Sequence, residues 1–255
     1  MSPEALVVVG DRFEEFLANR GTVPVSVLLD RLRAGELPES LALAIGQGLT
    51  DNQLAELRDL MSGAAAGIPH RAERALTHKH RAENVLVGPV RRLAEDRFTA
   101  DLVLDERVEV LADHLTGQHI PAITILEAAR QLWTVVTEQY LIAGTERTRF
   151  VIGSVNSSFH SFVFPMPATL RYELLGHSTT PVGAIYRCRV GVHHGDEPAA
   201  AVVEAEYRVI PEKLSAKQEA MAARRAIAAQ VAALSEAAEA EAGAAAEPER
   251  AAVPA

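Results

Sequence analysis

Short runs of apolar residues at helical spacing characterise the first 75 residues. Apolar side chains recur at intervals of three and four, the period of an α-helix, within residues 11–18, 23–32, 39–46 and 51–61. Asp51 is a suitable N-cap for the last of these. Residues 62–67 are Ser, Gly and Ala, a composition typical of a linker. The pattern therefore predicts an N-terminal helical extension that ends near residue 75.

From about residue 80 the pattern changes to the alternation of apolar and polar residues that is typical of β-strands. It predicts strands over 85–93, 97–104, 149–164, 169–176, 184–194 and 200–210. Short segments with Gly, Pro or Asp separate the last four. Such close spacing favours antiparallel neighbours.

One long apolar segment interrupts these strands. Residues 123–143 carry apolar side chains at spacings of three and four on a wide face, which predicts a buried helix. The predicted order is two strands, a buried helix and four strands. An α+β fold in which one antiparallel sheet wraps around the helix accounts for this order. The open edge of such a sheet predicts edge-to-edge dimerisation.

After Pro211 the composition shifts to Ala and Glu. Residues 213–240 are predicted to be helical on propensity alone, and the low-complexity stretch 243–255 is predicted to be disordered. The expected divisions are thus a helical extension over 1–75, a sheet-and-helix domain over 76–212 and a tail over 213–255.

Composition narrows the classes of function. The chain has 255 residues, 48% of them hydrophobic and 23% charged, as in ordinary globular proteins. A net charge of −9 argues against nucleic-acid binding, and no apolar run approaches the roughly 18 residues needed to span a membrane. The single Cys188 excludes an intramolecular disulfide. Since the N-terminus lacks the basic start of a secretory signal, a cytoplasmic location is expected.

Residues with catalytic potential concentrate just before and within the long helix. Their order is Asp113-His114, His119-Ile120-Pro121-Ala122 and Glu127-Ala128-Ala129-Arg130-Gln131. This segment resembles the hotdog-fold superfamily of acyl-thioester proteins. It is most similar to the A-factor biosynthesis (AfsA-like) hotdog family, whose modules carry Asp-His, His before an apolar residue and Pro-Gly, and Glu-Ala-x-Arg-Gln. The stretch 77–87 resembles the start of such a module, and the likeness covers about 78–210.

The resemblance implies a hotdog fold and chemistry on a fatty acyl thioester that is linked to acyl carrier protein or coenzyme A. In AfsA-like enzymes, a β-ketoacyl group passes to dihydroxyacetone phosphate on the way to a γ-butyrolactone signal. A hotdog dehydratase or thioesterase, and a non-catalytic protein that binds an acyl chain or other ligand, are the alternatives. Family members carry two modules in tandem, whereas this chain shows one, so a homodimer is expected. Neither a cofactor nor a bound metal is expected.

The same resemblance suggests roles for individual residues. His114 or His119 would take a proton from a hydroxyl or an acidic Cα, and Glu127, with a pKa raised by apolar neighbours, would exchange a second proton. Arg130 would bind a phosphate or carboxylate. Backbone N–H groups near Ala122, at the positive end of the helix, would polarise the thioester carbonyl. The other residues expected to contact substrate are Asp113, Pro121, Gln131, Trp133, Asn156 and Phe159.

Simpler structural roles compete with these assignments. Thr124 and Glu127 match a capping box, in which the carboxylate only satisfies backbone N–H groups. Arg130 could instead pair with Glu127 alone, which would keep the carboxylate ionised and a poor general acid. His78 with His80, and His193 with His194, are weak metal-ligand candidates because no third ligand follows at a recognisable spacing.

Overall fold

A computed structural model describes residues 4–36, 41–61, 67–113, 116–142 and 147–246. The N-terminal extension is an α/β unit. Its strands are β1 (Glu4–Val9), β2 (Thr22–Pro24) and β3 (Leu41–Ile45), and its helices are α1 (Glu14–Leu17), α2 (Val25–Ala34) and α3 (Asp51–Leu60). The three strands are parallel, in the order β2-β1-β3. Residues Val8, Leu28, Leu54 and Leu57 fill the core between the sheet and its helices.

The predicted helices over 23–32 and 51–61 are confirmed as α2 and α3, but the helix predicted over 39–46 is wrong. Leu41–Ile45 is a strand that pairs in parallel with β1. The run of Leu and Ala in this strand fits either period. Pairing with β1, which the helical pattern also missed, therefore decides its conformation.

The remaining described elements form the larger part of the molecule. Before the long helix lie α4 (Arg74–Thr77), β4 (Arg91–Arg92), β5 (Arg97–Asp101) and α5 (Glu109–Ala112). After it come β6 (Thr148–Phe159), β7 (Thr169–Thr180), β8 (Gly183–His193), β9 (Ala201–Pro211) and α7 (Glu212–Ala246). The long helix itself is α6 (Ala122–Val136), continued by a π-helical turn over Thr137–Leu141.

One antiparallel sheet, in the order β4-β5-β7-β8-β9-β6, wraps around α6. The predicted strands over 97–104, 149–164, 169–176, 184–194 and 200–210 correspond to β5 to β9. The strand predicted over 85–93 is mostly irregular, because only Val87 bridges to Leu102 and only β4 pairs as a strand. Leu86 N–H instead donates to the Gln131 side chain on α6.

The core lies between α6 and the inner face of the sheet. Trp133 and Leu132 are almost fully buried, and burial of each is worth about 2–3 kcal/mol. The Trp133 ring stacks on Tyr207 of β9 with centroids 5.5 Å apart. This confirms the prediction of an α+β fold with a long buried helix under an antiparallel sheet.

The N-terminal unit packs directly on this domain. The buried Gln47 side chain donates to Leu102 and Met166 carbonyl oxygens and accepts from Leu104 N–H. Gln47 thus forms a polar junction between the described parts of the two units.

Within the N-terminal unit, Gly10 allows the loops after β1 and β3 to meet, because a Cβ there would lie 2.4 Å from the Gly48 oxygen.

The tail helix α7 runs over Glu212–Ala246 and so includes residues 213–240, for which the sequence predicts a helix. Residues 247–255 lie outside the described residues. Within the described ranges, none of the helices combines the length and apolar character that crossing a membrane requires.

Candidate functional site

Three predicted site residues come together on one side of α6. Glu127, Arg130 and Gln131 are three and four residues apart, so they share a helix face. Arg130 binds the carboxylate of Glu127 through two nitrogens, with Nε 2.7 Å and Nη2 2.9 Å from its oxygens. Gln131 Nε2 donates to the same carboxylate at 2.9 Å. Lys79, from the loop after α4, adds its Nζ at 2.5 Å. We call Lys79, Glu127, Arg130 and Gln131 the α6 cluster.

Glu127 is ionised in this cluster. Burial alone would raise its pKa, but the hydrogen bonds and positive charges of Arg130 and Lys79 outweigh that effect and lower the pKa to about 2. The sequence-based expectation of a raised pKa is therefore wrong, and the alternative in which Arg130 keeps Glu127 ionised is correct. At neutral pH this carboxylate holds two cations and has no proton to donate.

Gln131 has a second, structural role. Its side chain is fully buried, accepts from Leu86 N–H at 2.8 Å and donates to the Asn84 carbonyl at 2.8 Å. Arg130 Nη2 likewise donates to the Thr77 carbonyl. The α6 cluster thus fixes the irregular segment 77–86 against the helix.

The predicted loop histidines lie apart from this cluster or outside the described residues. His114 belongs to the undescribed residues 114–115. Asp113, which precedes it, is exposed at the end of α5. His119 lies 3.2 Å from Thr116 Oγ1 through Nδ1 and packs against the ring of Phe162. Among the described residues, His119 and Glu127 form neither a hydrogen bond nor an ion pair with each other.

The N-terminal unit holds both ends of this loop. The guanidinium of Arg12 donates to the carbonyls of Glu106 and Ala112, before the undescribed residues. Phe16 N–H on α1 donates to the Gly117 carbonyl, just after them. The unit therefore sets the position of the loop that carries the predicted histidines.

Helix α6 starts directly after Pro121. Pro121 is the N-cap residue and Ala122 is the first helical residue, so the capping box with Thr124 as N-cap is wrong. Thr124 N–H donates to the Pro121 carbonyl. Ala122 and Ile123 are exposed at the positive end of the helix, where an anion or a polarised carbonyl is stabilised.

The three remaining predicted substrate contacts are dispersed. Trp133 is buried in the core against Tyr207. Asn156 pairs in register with Glu204, whose side chain is on the outer face of the sheet, and it lines a shallow depression there. Phe159 pairs with the buried Ala201, so it faces the helix side, but the edge position leaves it 45% exposed.

Sequence reasoning did not list Lys79 or the His78–Glu138 pair as site residues. His78 Nε2 lies 2.7 Å from Glu138 Oε1. One signal was available for Lys79, because it is the only lysine before residue 213 in a chain that otherwise uses arginine. The pairing of His78 with Glu138 depends on a contact across 60 residues that no local pattern encodes.

Comparison with known proteins identifies the family of the larger domain. The model of the A-factor biosynthesis hotdog domain matches residues 61–210, more than half of the chain. No curated protein gives a significant match.

Solved structures with a similar fold include a mutant thioesterase from Pseudomonas aeruginosa, at 13% identity and a TM-score of 0.38, with 62% of this chain and 94% of that chain covered. A thioesterase from Haemophilus influenzae gives 14% identity and a TM-score of 0.38, covering 62% and 90%. AziG from S. sahachiroi gives 13% identity and a TM-score of 0.37, with 48% of this chain and 90% of that chain covered. At these TM-scores, the family match alone carries the assignment.

Proposed function

We propose that this chain, which belongs to the A-factor biosynthesis hotdog family, is an acyltransferase that acts on acyl thioesters. In this proposal, it moves a β-ketoacyl group from acyl carrier protein or coenzyme A to the hydroxyl of a small phosphorylated alcohol such as dihydroxyacetone phosphate. The product would serve the biosynthesis of a γ-butyrolactone-type signal or a secondary metabolite.

The observation that carries the proposal is the charge of the α6 cluster. Two cations, Lys79 and Arg130, surround one ionised carboxylate, Glu127, so one positive charge remains uncompensated within the cluster. The side chains of Lys79 and Arg130 are 26% and 24% exposed, so solvent reaches them. Because a guanidinium and an ammonium are the groups that bind phosphate best, the cluster suits an acceptor that carries a phosphate.

The state of Glu127 favours transfer over dehydration. A dehydratase needs an acid that protonates the departing hydroxyl, and a carboxyl with a pKa of about 2 holds almost no proton at pH 7. Transfer to an alcohol requires only a base for the acceptor and stabilisation of the thioester oxyanion. We assign the second task to backbone N–H groups near Ala122 and Ile123, at the positive end of α6.

The exposed apolar side chains of strand β6 support a homodimer. Ile152 and Val155 pair in register with the buried Tyr207 and Ala205 of β9, so they face the helix side of the sheet. This chain nonetheless leaves them 49% and 40% exposed. Strand β6 is also an edge strand of 12 residues, which is a ready template for pairing. We infer that a second copy continues the sheet there and covers these side chains.

Intact-mass spectrometry of a C8–C10 β-ketoacyl carrier protein, incubated with the protein, tests the function. We expect loss of the acyl group only when dihydroxyacetone phosphate is present, with appearance of the acylated phosphate. Acyl loss without the acceptor would indicate a thioesterase instead. An unchanged carrier in both tubes, together with no loss of water from a β-hydroxyacyl carrier, would contradict every enzymatic version and leave a binding protein.

A further inference from the structure

The tail helix α7 extends away from the domain after its first two turns. Its start is held against β6, where Arg149 binds both Glu212 and Glu219, and Ser215 is buried. From residue 216 to residue 241, every residue is exposed. At 1.5 Å per residue, the 35 residues of α7 span about 52 Å. Contacts with the domain therefore do not stabilise most of this helix.

One side of the exposed part is apolar. Ile227, Val231 and Leu234 follow one another at spacings of four and three, so they share a helix face. Their exposed fractions are 63%, 56% and 60%. The same face continues in both directions with small residues, namely Ala220, Ala223 and Ala238. Large and small apolar residues at this spacing are typical of a helix that packs against another helix.

The charges of α7 are separated along its length. All its basic residues precede residue 226, whereas the charged residues after that point are acidic, namely Glu236, Glu239 and Glu241. The macrodipole of a single helix favours the opposite distribution, with acidic residues near the start and basic residues near the end. Among the residues that the structure describes, the ion pairs of α7 are confined to Glu212 and Glu219. The charges therefore suit a partner helix that carries them in the reverse order.

A second copy of α7 in antiparallel orientation matches the apolar face. With a two-fold axis between residues 232 and 233, Ile227 lies opposite Ala238 of the second copy. Val231 then lies opposite Leu234 of the second copy. The same pairs form on both sides of the axis, as a contact between two identical surfaces requires.

The same register brings opposite charges together. Arg224 of each copy lies opposite Glu241 of the other, and Arg225 lies next to Glu239 of the other. A parallel pair would instead place arginines beside arginines and glutamates beside glutamates. Because charges that flank an apolar seam set the orientation of paired helices, they select a second copy in the antiparallel orientation.

We propose that α7 is a dimerisation element that pairs antiparallel with α7 of a second copy and adds to the contact at β6. This inference rests on the homodimer of the proposed function and does not depend on the reaction. An antiparallel pair of β6 strands also has a two-fold axis, so one dimer contains both contacts. Three large apolar side chains on each helix bury less surface than a stable dimer needs. The helix pair therefore strengthens the dimer but does not maintain it without β6.

Charge reversal in the full chain tests the pairing. Arg224→Glu combined with Arg225→Glu should raise the Kd of the dimer at least tenfold, because like charges then face each other at both ends of the helix pair. Glu239→Arg combined with Glu241→Arg should do the same. An equimolar mixture of these two variants should dimerise about as tightly as the wild type, because their charges are complementary again. Sedimentation equilibrium measures each Kd.

A matched control separates specific pairing from net charge. Arg20→Glu combined with Arg31→Glu, at exposed positions of the N-terminal unit, makes the same change in net charge as the arginine variant of α7. This control should keep the Kd of the wild type. Circular dichroism of each variant confirms that the helix is retained.

Cysteine cross-linking tests the orientation. The native Cys188 is buried, so oxidation acts on introduced thiols. A disulfide requires Cα atoms within about 7 Å. We expect a cross-link when Ile227→Cys is mixed with Ala238→Cys and none when either variant is oxidised alone. A parallel pair would give the reverse result, and this would overturn the antiparallel orientation.

The outcomes distinguish this inference from the proposed homodimer. If the wild type is a dimer and both charge variants of α7 keep its Kd, the pairing of α7 is wrong and the contact at β6 stands. If the mixture of the two variants stays as weak as each variant alone, complementary pairing is likewise wrong. A monomeric wild type would overturn the homodimer together with this inference.

Discussion

At the scale of single residues, the carboxylate of Glu127 decides the chemistry of the site. It accepts from Arg130 through two nitrogens and from Gln131 and Lys79. Such a carboxylate is an anchor for cations rather than a proton donor. Any reaction at this site must therefore take its acid or base from another group.

This ionisation makes a prediction about stability and pH. The pKa of Glu127 is lowered from 4.5 to about 2 in the folded chain, so its contribution is fully present above pH 4.5 and is lost as the pH falls towards 2. Glu127→Gln lacks this titration. The difference in unfolding free energy between wild type and variant should shrink by up to about 3 kcal/mol between pH 6 and pH 2. Urea unfolding at several pH values measures it, and a constant difference would contradict the lowered pKa.

Lys79 supplies a second prediction at this scale. Lys79→Met removes one of two cations from the α6 cluster, so the KM for a phosphorylated acceptor should rise about tenfold. Lys217→Met, on the exposed surface of α7, is the matched control and should leave the KM unchanged. Steady-state kinetics with varied acceptor measures both. Equal KM values for the two variants would exclude Lys79 from the anion site.

The sequence predicted part of this cluster for physical reasons. Glu127, Arg130 and Gln131 lie on one helix, so their spacing alone places them together. Lys79 and His78 reach that helix from a segment about 50 residues earlier, and tertiary packing brings them there. The direction of the pKa shift of Glu127 could not be predicted in advance, because it depends on how many donors converge on the carboxylate in the folded chain.

At the scale of elements, hydrogen bonds connect the N-terminal unit to the loop before α6. Arg12 and Phe16 bind the loop on both sides of residues 114–115. The N-terminal unit thus has a structural connection to the segment with the predicted histidines.

Arg12→Gln tests this coupling between elements. Loss of the bonds to the Glu106 and Ala112 carbonyls should change the free energy of unfolding by no more than about 1 kcal/mol, because these bonds are exposed. It should nevertheless speed proteolysis between residues 109 and 119 and lower acyl transfer severalfold. Arg20→Gln, an exposed neighbour, is the control. Unchanged proteolysis would show that the loop does not depend on Arg12.

The pattern of apolar and polar residues predicted some elements better than others. The strands β7, β8 and β9 alternate cleanly because one face is buried under α6 and the other is exposed. Strand β3 was mistaken for a helix because Leu and Ala, its main residues, suit helices as well as a buried parallel strand. Residues 85–87 look like a strand since they are apolar, but Gln131 takes the Leu86 N–H that a ladder would use.

At the scale of the whole molecule, the sheet ends in an edge that one chain does not cover. Ile152→Lys combined with Val155→Lys should convert a dimer into a folded monomer, because charges on the helix side of β6 oppose burial under a second copy. Sedimentation velocity measures the change. Val27→Lys, at a similarly exposed site on α2, should stay dimeric. A monomeric wild type, or a dimer that survives the double substitution, would contradict the use of β6.

In the proposed function, the α6 cluster selects an acyl acceptor by its phosphate, so the protein should discriminate between acceptors with and without that group. The measurement is the ratio of kcat/KM for dihydroxyacetone phosphate to that for dihydroxyacetone, in the wild type and in Arg130→Gln. Arg171→Gln, at an exposed position on β7, serves as the control. We predict a ratio of about 100 or more for the wild type and the control, and at least a tenfold lower ratio for Arg130→Gln. Equal use of both acceptors by the wild type, or an undiminished preference in Arg130→Gln, would show that the α6 cluster does not select the acceptor by its phosphate.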